Sequence, residues 1–165
     1  MGFLRAALLF VVTGVAACGG GSTGSSGLNG PSSPSQGLLT ATIDGASFVA
    51  SQSSITATVA SGILKIAGTD TATGSARTIE LTIEGTAPGI YPIGLPAGTP
   101  VTGAVLTLGN ARWIADFTMG SGSITLNAFA SNRASGTFLF NAQPVTGTPA
   151  AGIRIVTEGV FTVTF

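Results

Sequence analysis

Histidine is absent from the 165-residue chain, and Cys18 is its one cysteine. These two absences exclude zinc sites of the usual kind, Ser-His-Asp and Cys-His catalysis, and any disulfide within the chain. Charge is scarce as well: six Lys or Arg and six Asp or Glu make up 7% of the residues, where about 25% is usual. No basic field exists to hold a nucleic-acid backbone, and there is no acidic tail. Long apolar runs are missing too. The stretch from Ala6 to Val12 is broken by Thr13 and Gly14, far short of the roughly 20 residues that a membrane-crossing helix needs. One Trp and one Tyr are too few for the aromatic girdles of a membrane β-barrel.

What is present begins with an N-terminal address. Arg5 precedes the apolar stretch, and small residues lead into Val15-Ala16-Ala17-Cys18. A basic start, a short apolar region and a small-residue cleavage site describe a secretory signal over residues 1–17. The Val-Ala-Ala-Cys ending resembles the bacterial lipobox. That resemblance implies that Cys18 becomes the first residue of the mature chain and carries a diacylglycerol thioether and an N-acyl group. Each buried methylene contributes roughly 0.8 kcal/mol, so two or three acyl chains, such as palmitate, form a durable anchor. Gly19 follows the cysteine where lipoproteins retained at the inner membrane often have Asp. The class rule therefore implies the outer membrane in a cell that has one.

Residues 18–37 form the expected tether. Between Gly19 and Gly37 there are seven Gly, six Ser and two Pro, and such a segment has almost no apolar surface to offset the entropy of ordering it. Random-coil scaling gives it a reach of roughly 24 Å.

From Leu38 to Phe165 the chain alternates apolar and polar residues, and no window of helical length carries a 3.6-residue period. Ile79, Leu81 and Ile83 alternate with Glu80, Thr82 and Glu84. Trp113, Ala115, Phe117 and Met119 alternate with Arg112, Asp116 and Thr118, as do Ile124, Leu126 and Ala128 with Thr125 and Asn127, and then Phe161, Val163 and Phe165 with Thr162 and Thr164. Twenty-one threonines in this region suit the exposed face of a pleated sheet, because threonine is both β-branched and polar. Asp44-Gly45, Gly109-Asn110 and Gly120-Ser121-Gly122 punctuate the pattern as turns. Strands are expected over 38–44, 46–51, 54–60, 62–69, 76–85, 89–93, 101–108, 111–119, 122–131, 134–142 and 152–165, with longer links at 86–100 and 141–152. The expected fold is all-β: an antiparallel β-sandwich or a flattened meander barrel of about ten strands in one domain, residues 38–165.

Within this domain Thr40–Ala50, Ile66–Asp70, Arg77–Leu81, Pro88–Tyr91, Ala134–Phe140 and Gly159–Phe161 resemble the turn and core motifs of an uncharacterised domain family found in bacterial envelope lipoproteins. The resemblance implies an all-β fold and an envelope location, and it carries over no catalytic or binding residue.

Candidate chemistry is sparse. Glu80 and Glu84 share a strand face but stand about 13 Å apart at strand rise, beyond the roughly 5–9.5 Å of glycosidase carboxylate pairs. Asp44 reads as a turn former. Asp70 in Asp70–Gly74 offers a single carboxylate, few for Ca²⁺. Trp113 falls on the apolar register of its strand, and Tyr91 sits beside prolines as a loop-packing residue. Phe129 and Leu139 fall opposite the main apolar sets of their strands, which makes them candidates for an exposed partner-contact spot or for packing beneath a loop. No inward position carries a titratable group with which to build a catalytic site.

The expected function is that of a lipid-anchored envelope lipoprotein presenting a non-catalytic β domain for protein or glycan contact, with no cofactor, no metal and no nucleic-acid partner. Two alternatives are a lipocalin-like carrier of an apolar ligand and a hydrolase built on paired carboxylates.

Overall fold

The computed structural model describes residues 37–94 and 101–165. The signal, Cys18 and nearly all of the tether lie outside the described residues. Eleven strands run in chain order: β1 (Leu38–Ile43), β2 (Ala46–Val49), β3 (Thr56–Ala60), β4 (Ile63–Asp70), β5 (Arg77–Glu84), β6 (Gly89–Ile93), β7 (Gly103–Leu108), β8 (Ala111–Ala115), β9 (Ser121–Ala130), β10 (Arg133–Pro144) and β11 (Arg154–Thr164). Among the described residues there is no α-helix, only a 3-10 turn over Gln52–Ser54. That turn delays β3 to Thr56.

Tight turns set the local pairings. Asp44 and Gly45 have φ of 49° and 83°, and Ser61 and Gly62 have φ of 52° and 78°. Two successive left-handed residues match the twist of a hairpin, which is why β1 pairs with β2 and β3 with β4. The strands form one antiparallel sheet in the order β2-β1-β11-β10-β8-β7-β5-β4-β3, and β9 lies between β10 and β6. It curls into a half-barrel.

The curl turns on β10. Its residues Arg133–Asn141 pair with β9, while Gln143 and Pro144 pair with Ile114 and Trp113 of β8. At 12 residues it outruns the 10 of β9, and the overhang takes β8 as its partner. A strand that changes partner in this way makes a corner between two wings. One wing is β2-β1-β11-β10-β9-β6 and the other β8-β7-β5-β4-β3.

The inner faces of both wings bury a single apolar cluster that includes Leu39, Phe48, Leu64, Ile79, Leu106 and Phe140. Each such side chain stabilises the fold by roughly 1.5–3 kcal/mol through removal from water. At the far end from β10 a charged clamp joins the wings. Asp70, 3% exposed, accepts hydrogen bonds from the Val49 N–H at 3.2 Å, the Ala72 N–H at 2.8 Å and the Arg77 guanidinium. Arg77 also donates to the Ser47 carbonyl at 2.6 Å and lies over the Phe48 ring.

β8 is shorter than the 111–119 expected from its alternation. It stops at Ala115, because Asp116 Oδ1 accepts from the Thr118 N–H at 2.7 Å, the Thr118 hydroxyl at 2.5 Å and the Met119 N–H at 3.1 Å. This side-chain-closed turn points Phe117 and Met119 out to solvent.

Candidate functional site

The outer face of β9, β10 and β11 carries two grooves together with exposed aliphatic groups. Cross-strand pairing builds it in rows. Thr125, Thr137 and Val160 are opposite one another, as are Ser123 and Leu139, and then Ser121, Asn141 and Ile155. Leu139 is 54% exposed, and Ile153, Ile155 and Val160 are exposed beside it. Two shallow grooves run along this face. One of about 350 Å³ is lined by Ser123, Thr125, Thr137, Leu139, Glu158 and Val160. The other, about 360 Å³, is lined by Ser121, Asn141, Gln143, Ile153 and Ile155.

The first groove owes its shape to a β-bulge. On β11 the partners of β10 jump from Gly159 (opposite Phe138) to Val156 (opposite Phe140), and β1 shows the same jump between Thr40 and Thr42. Glu158, at φ 53°, is the left-handed residue of this bulge. A non-glycine residue in that region stores backbone strain, a feature often found at binding sites. Its Oε2 accepts the Thr42 hydroxyl at 2.8 Å, and no salt bridge joins it to a basic side chain among the described residues. The groove therefore presents one carboxylate, three hydroxyls and two aliphatic side chains.

The other carboxylates are dispersed. Asp44 pairs with Arg154 at 2.7 Å and accepts the Ile155 N–H at 2.9 Å. Glu84 accepts the Val101 N–H. Asp70 belongs to the clamp, so its oxygens are already taken by three donors. Burial pulls its pKa up, but the Ala72 and Val49 N–H groups and Arg77 outweigh that and hold it below the ordinary 3.8. Asp116 shares a groove of about 160 Å³ with Glu80. There burial again raises the pKa, and the Thr118 hydroxyl with the Thr118 and Met119 N–H groups overrides it to leave a net lowering. An acid catalyst needs the opposite, a carboxyl held protonated near neutrality. Among the described residues no three metal-ligating side chains come together.

The aromatic candidates resolve separately. Trp113 is 2% exposed. Its indole N–H donates to the Gly152 carbonyl at 2.9 Å, and Arg154 lies 4.8 Å from its ring centroid, so it packs in the core instead of offering a platform to a sugar. Tyr91 is half-buried against the core and donates to the Ala87 carbonyl at 2.6 Å. Phe129 leaves the candidate contact face. An extra residue, Asn127, is inserted in β9 between the pairs Leu126–Gly136 and Ala128–Ser135, and this bulge reverses the facing of every later residue in the strand. Phe129 consequently turns toward the core and stacks on Phe165 with ring centroids 5.5 Å apart. Leu139 lies on the other side of that irregularity and stays outward. Reading alternation straight through position 127 missed this, and alternation around β11 did not bring out Glu158, Ile153 and Ile155 as members of the face.

Comparison with known proteins adds a family and no activity. No curated protein matches the chain, and no solved structure matches it. The family described as Domain of unknown function (DUF6252) matches residues 35–163, which spans the whole of the half-barrel but its last two residues. The chain belongs to this family of unknown function.

Proposed function

We propose that the protein is a lipid-anchored envelope lipoprotein whose β domain is a non-catalytic contact module, and that the outer face of β9–β11 meets a protein partner. The observation that carries this reading is the exposed aliphatic set Leu139, Ile153, Ile155 and Val160 lying along two grooves on one face. Exposed apolar groups gathered on a sheet and rimmed by polar side chains are a property of interaction surfaces. A protein partner fits better than a glycan, because the grooves have no exposed aromatic ring on which a sugar would stack. Glu158 specifies a basic side chain on that partner, next to aliphatic groups that meet Leu139 and Val160. The concave side is occupied by one continuous cluster of buried side chains, which supports contact through the outer face over carriage of an apolar ligand. The separate engagement of Asp44, Asp70, Glu84 and Asp116 supports a role without catalysis. The lipobox resemblance at Cys18 supports attachment through acyl chains, with residues 18–37 as tether and the outer membrane as destination.

The test places a photo-cross-linking amino acid at Leu139, and separately at Thr82 on the opposite wing, in the full chain within intact envelopes. A partner captured at position 139 and not at 82 is then purified and titrated against wild type and Leu139→Glu. Binding that is unaffected by Leu139→Glu rejects the contact face. Turnover of an ester, glycoside or peptide that is lost on replacing one carboxylate rejects the non-catalytic role.

A further inference from the structure

Strands β9, β10 and β11 carry three charged residues, Arg133, Arg154 and Glu158. Arg154 is paired with Asp44 and lies over the Trp113 ring. Arg133 and Glu158 enter no salt bridge among the described residues, and both belong to the outer face. Positions 133, 135, 137 and 139 of β10 alternate with the buried Ala134, Gly136 and Phe138, so Arg133 points the same way as Leu139. Glu158 sits in the β11 bulge and lines the same groove as Leu139. Arg133 is six residues from Leu139, about 20 Å at strand rise. Ser135 and Thr137 stand between them, opposite Thr162 and Val160 of β11. Ile155 and Ile153 lie on the other side of Glu158. The face therefore has a direction: aliphatic, acidic, mainly hydroxyl-bearing, then basic.

We propose, resting on the contact-face reading above, that the partner presents an extended segment along β10 with a fixed charge order. Two aliphatic side chains cover Ile153 and Ile155, a Lys or Arg beside them meets Glu158, and an Asp or Glu six residues further on meets Arg133. The three strands are paired on both edges, so a partner reaches this face through side chains and not by joining the ladder. Sheet faces are covered by strands aligned within about 30° of their own. An aligned strand repeats its same-side residues about every 6.7 Å, which matches the rows of β10. Charge supplies the polarity. Two unpaired groups of opposite sign on one face select a partner with the reverse order, because like charges brought together are penalised. At about 20 Å they lie well beyond the roughly 8 Å screening length at physiological salt, so each is recognised separately. A segment turned end to end would satisfy both charges but carry its aliphatic residues past the turn at Ser131-Asn132, off the end of the face.

The test uses two fluorescent synthetic peptides of identical composition, with blocked termini so that no end charge intervenes. One reads Ile-Ser-Ile-Ser-Lys-Ser-Thr-Ser-Thr-Ser-Glu, and the other exchanges its Lys and Glu. Both are titrated by anisotropy against the full chain carrying Cys18→Ser. The first peptide should bind at least about tenfold more tightly than its isomer. Arg133→Glu alone should bring the two level, and Arg133→Glu with Glu158→Lys should reverse the preference. Trp113 emission and circular dichroism matching wild type establish that each variant is folded. Equal affinities, no binding of either peptide, or a preference that ignores the charge reversals overturns the proposal. The contact face itself is read separately. A partner cross-linked at position 139 and lost with Leu139→Glu, but indifferent to both charge reversals, overturns the charge order and leaves the contact face standing. Binding indifferent to Leu139→Glu rejects the contact face as well.

Discussion

Gly136 and Phe161 stand opposite each other on β10 and β11, and the phenyl ring of Phe161 fills the space where a Gly136 side chain would be. Two residue pairs along the same ladder the arrangement repeats with the roles exchanged, Phe138 lying over Gly159. A Cβ at Gly136 would come within 2.6 Å of the Phe161 ring and 2.2 Å of the Thr125 carbonyl, and one at Gly159 within 2.5 Å of Phe138. The two pairs lock β10 to β11 at the bulge that shapes the Glu158 groove.

Overpacking at these positions is expected to be costly. Gly136→Ala and Gly159→Ala should each lower stability by about 1–3 kcal/mol. The buried Trp113, the one tryptophan of the chain, reports unfolding in urea. Midpoints equal to wild type would show that the rings move aside freely and that the pairs do not fix the ladder.

Asp70 should make the domain sensitive to acid. Its folded-state pKa lies below the ordinary 3.8, so its contribution is complete well above that value and is lost as pH falls from there through the lowered folded pKa. Asp70→Asn leaves Arg77 largely buried without its counter-charge and should cost about 3–5 kcal/mol near neutral pH. The variant should also have a shallower loss of stability between neutral pH and acid. Parallel pH–stability curves for variant and wild type would rule out the clamp as the acid-sensitive element.

Phe129 and Leu139 should separate by stability measurement. Phe129→Ala removes a ring stacked on Phe165 and should destabilise the domain by about 1.5–3 kcal/mol. Leu139→Ala removes an exposed side chain and should stay within about 0.5 kcal/mol of wild type. The reverse order in chemical denaturation would place Leu139, and not Phe129, on the core side.

Cys18→Ser should abolish incorporation of a palmitate analogue and release the protein from the membrane fraction, while the Trp113 emission of the β domain is unchanged. Labelling as strong in the mutant as in wild type would sink the lipobox reading.

Much of the fold was legible because alternation with period two survives wherever one face of a strand is buried. About ten strands were expected, over eleven approximate ranges, and each range holds a strand among the described residues, most with ends within two residues of those read from the sequence. The early end of β8, the late start of β3 and the reversals of facing share one cause, side chains or bulges acting over two or three residues. Asp116 closes a turn and ends β8 early, and Ser54, whose hydroxyl bonds to Thr69 N–H at 2.9 Å, stays in the 3-10 turn ahead of β3. Asn127 and Glu158 each insert one residue and reverse the facing of the residues after them. A bulge of one residue has no signature in alternation except the reversal itself, and in Phe129 that reversal read as an aromatic off the apolar register, open either to a partner or to a covering loop.

The all-β class and the hairpins at Asp44-Gly45 and Ser61-Gly62 are set locally, because each depends on residues within one strand or turn, while the absence of histidine and of a second cysteine is read directly from composition. Which strands are neighbours is a different matter. β1 pairs with β11 and β10 reaches both β9 and β8, choices between segments of similar pattern that are decided by how the two wings close over a shared core. The grooved outer face of β9–β11 and the clamp of Asp70 on β2 both arise from those long-range pairings. No local pattern encodes them, since a strand's sequence specifies which face is buried but not which strand lies beside it.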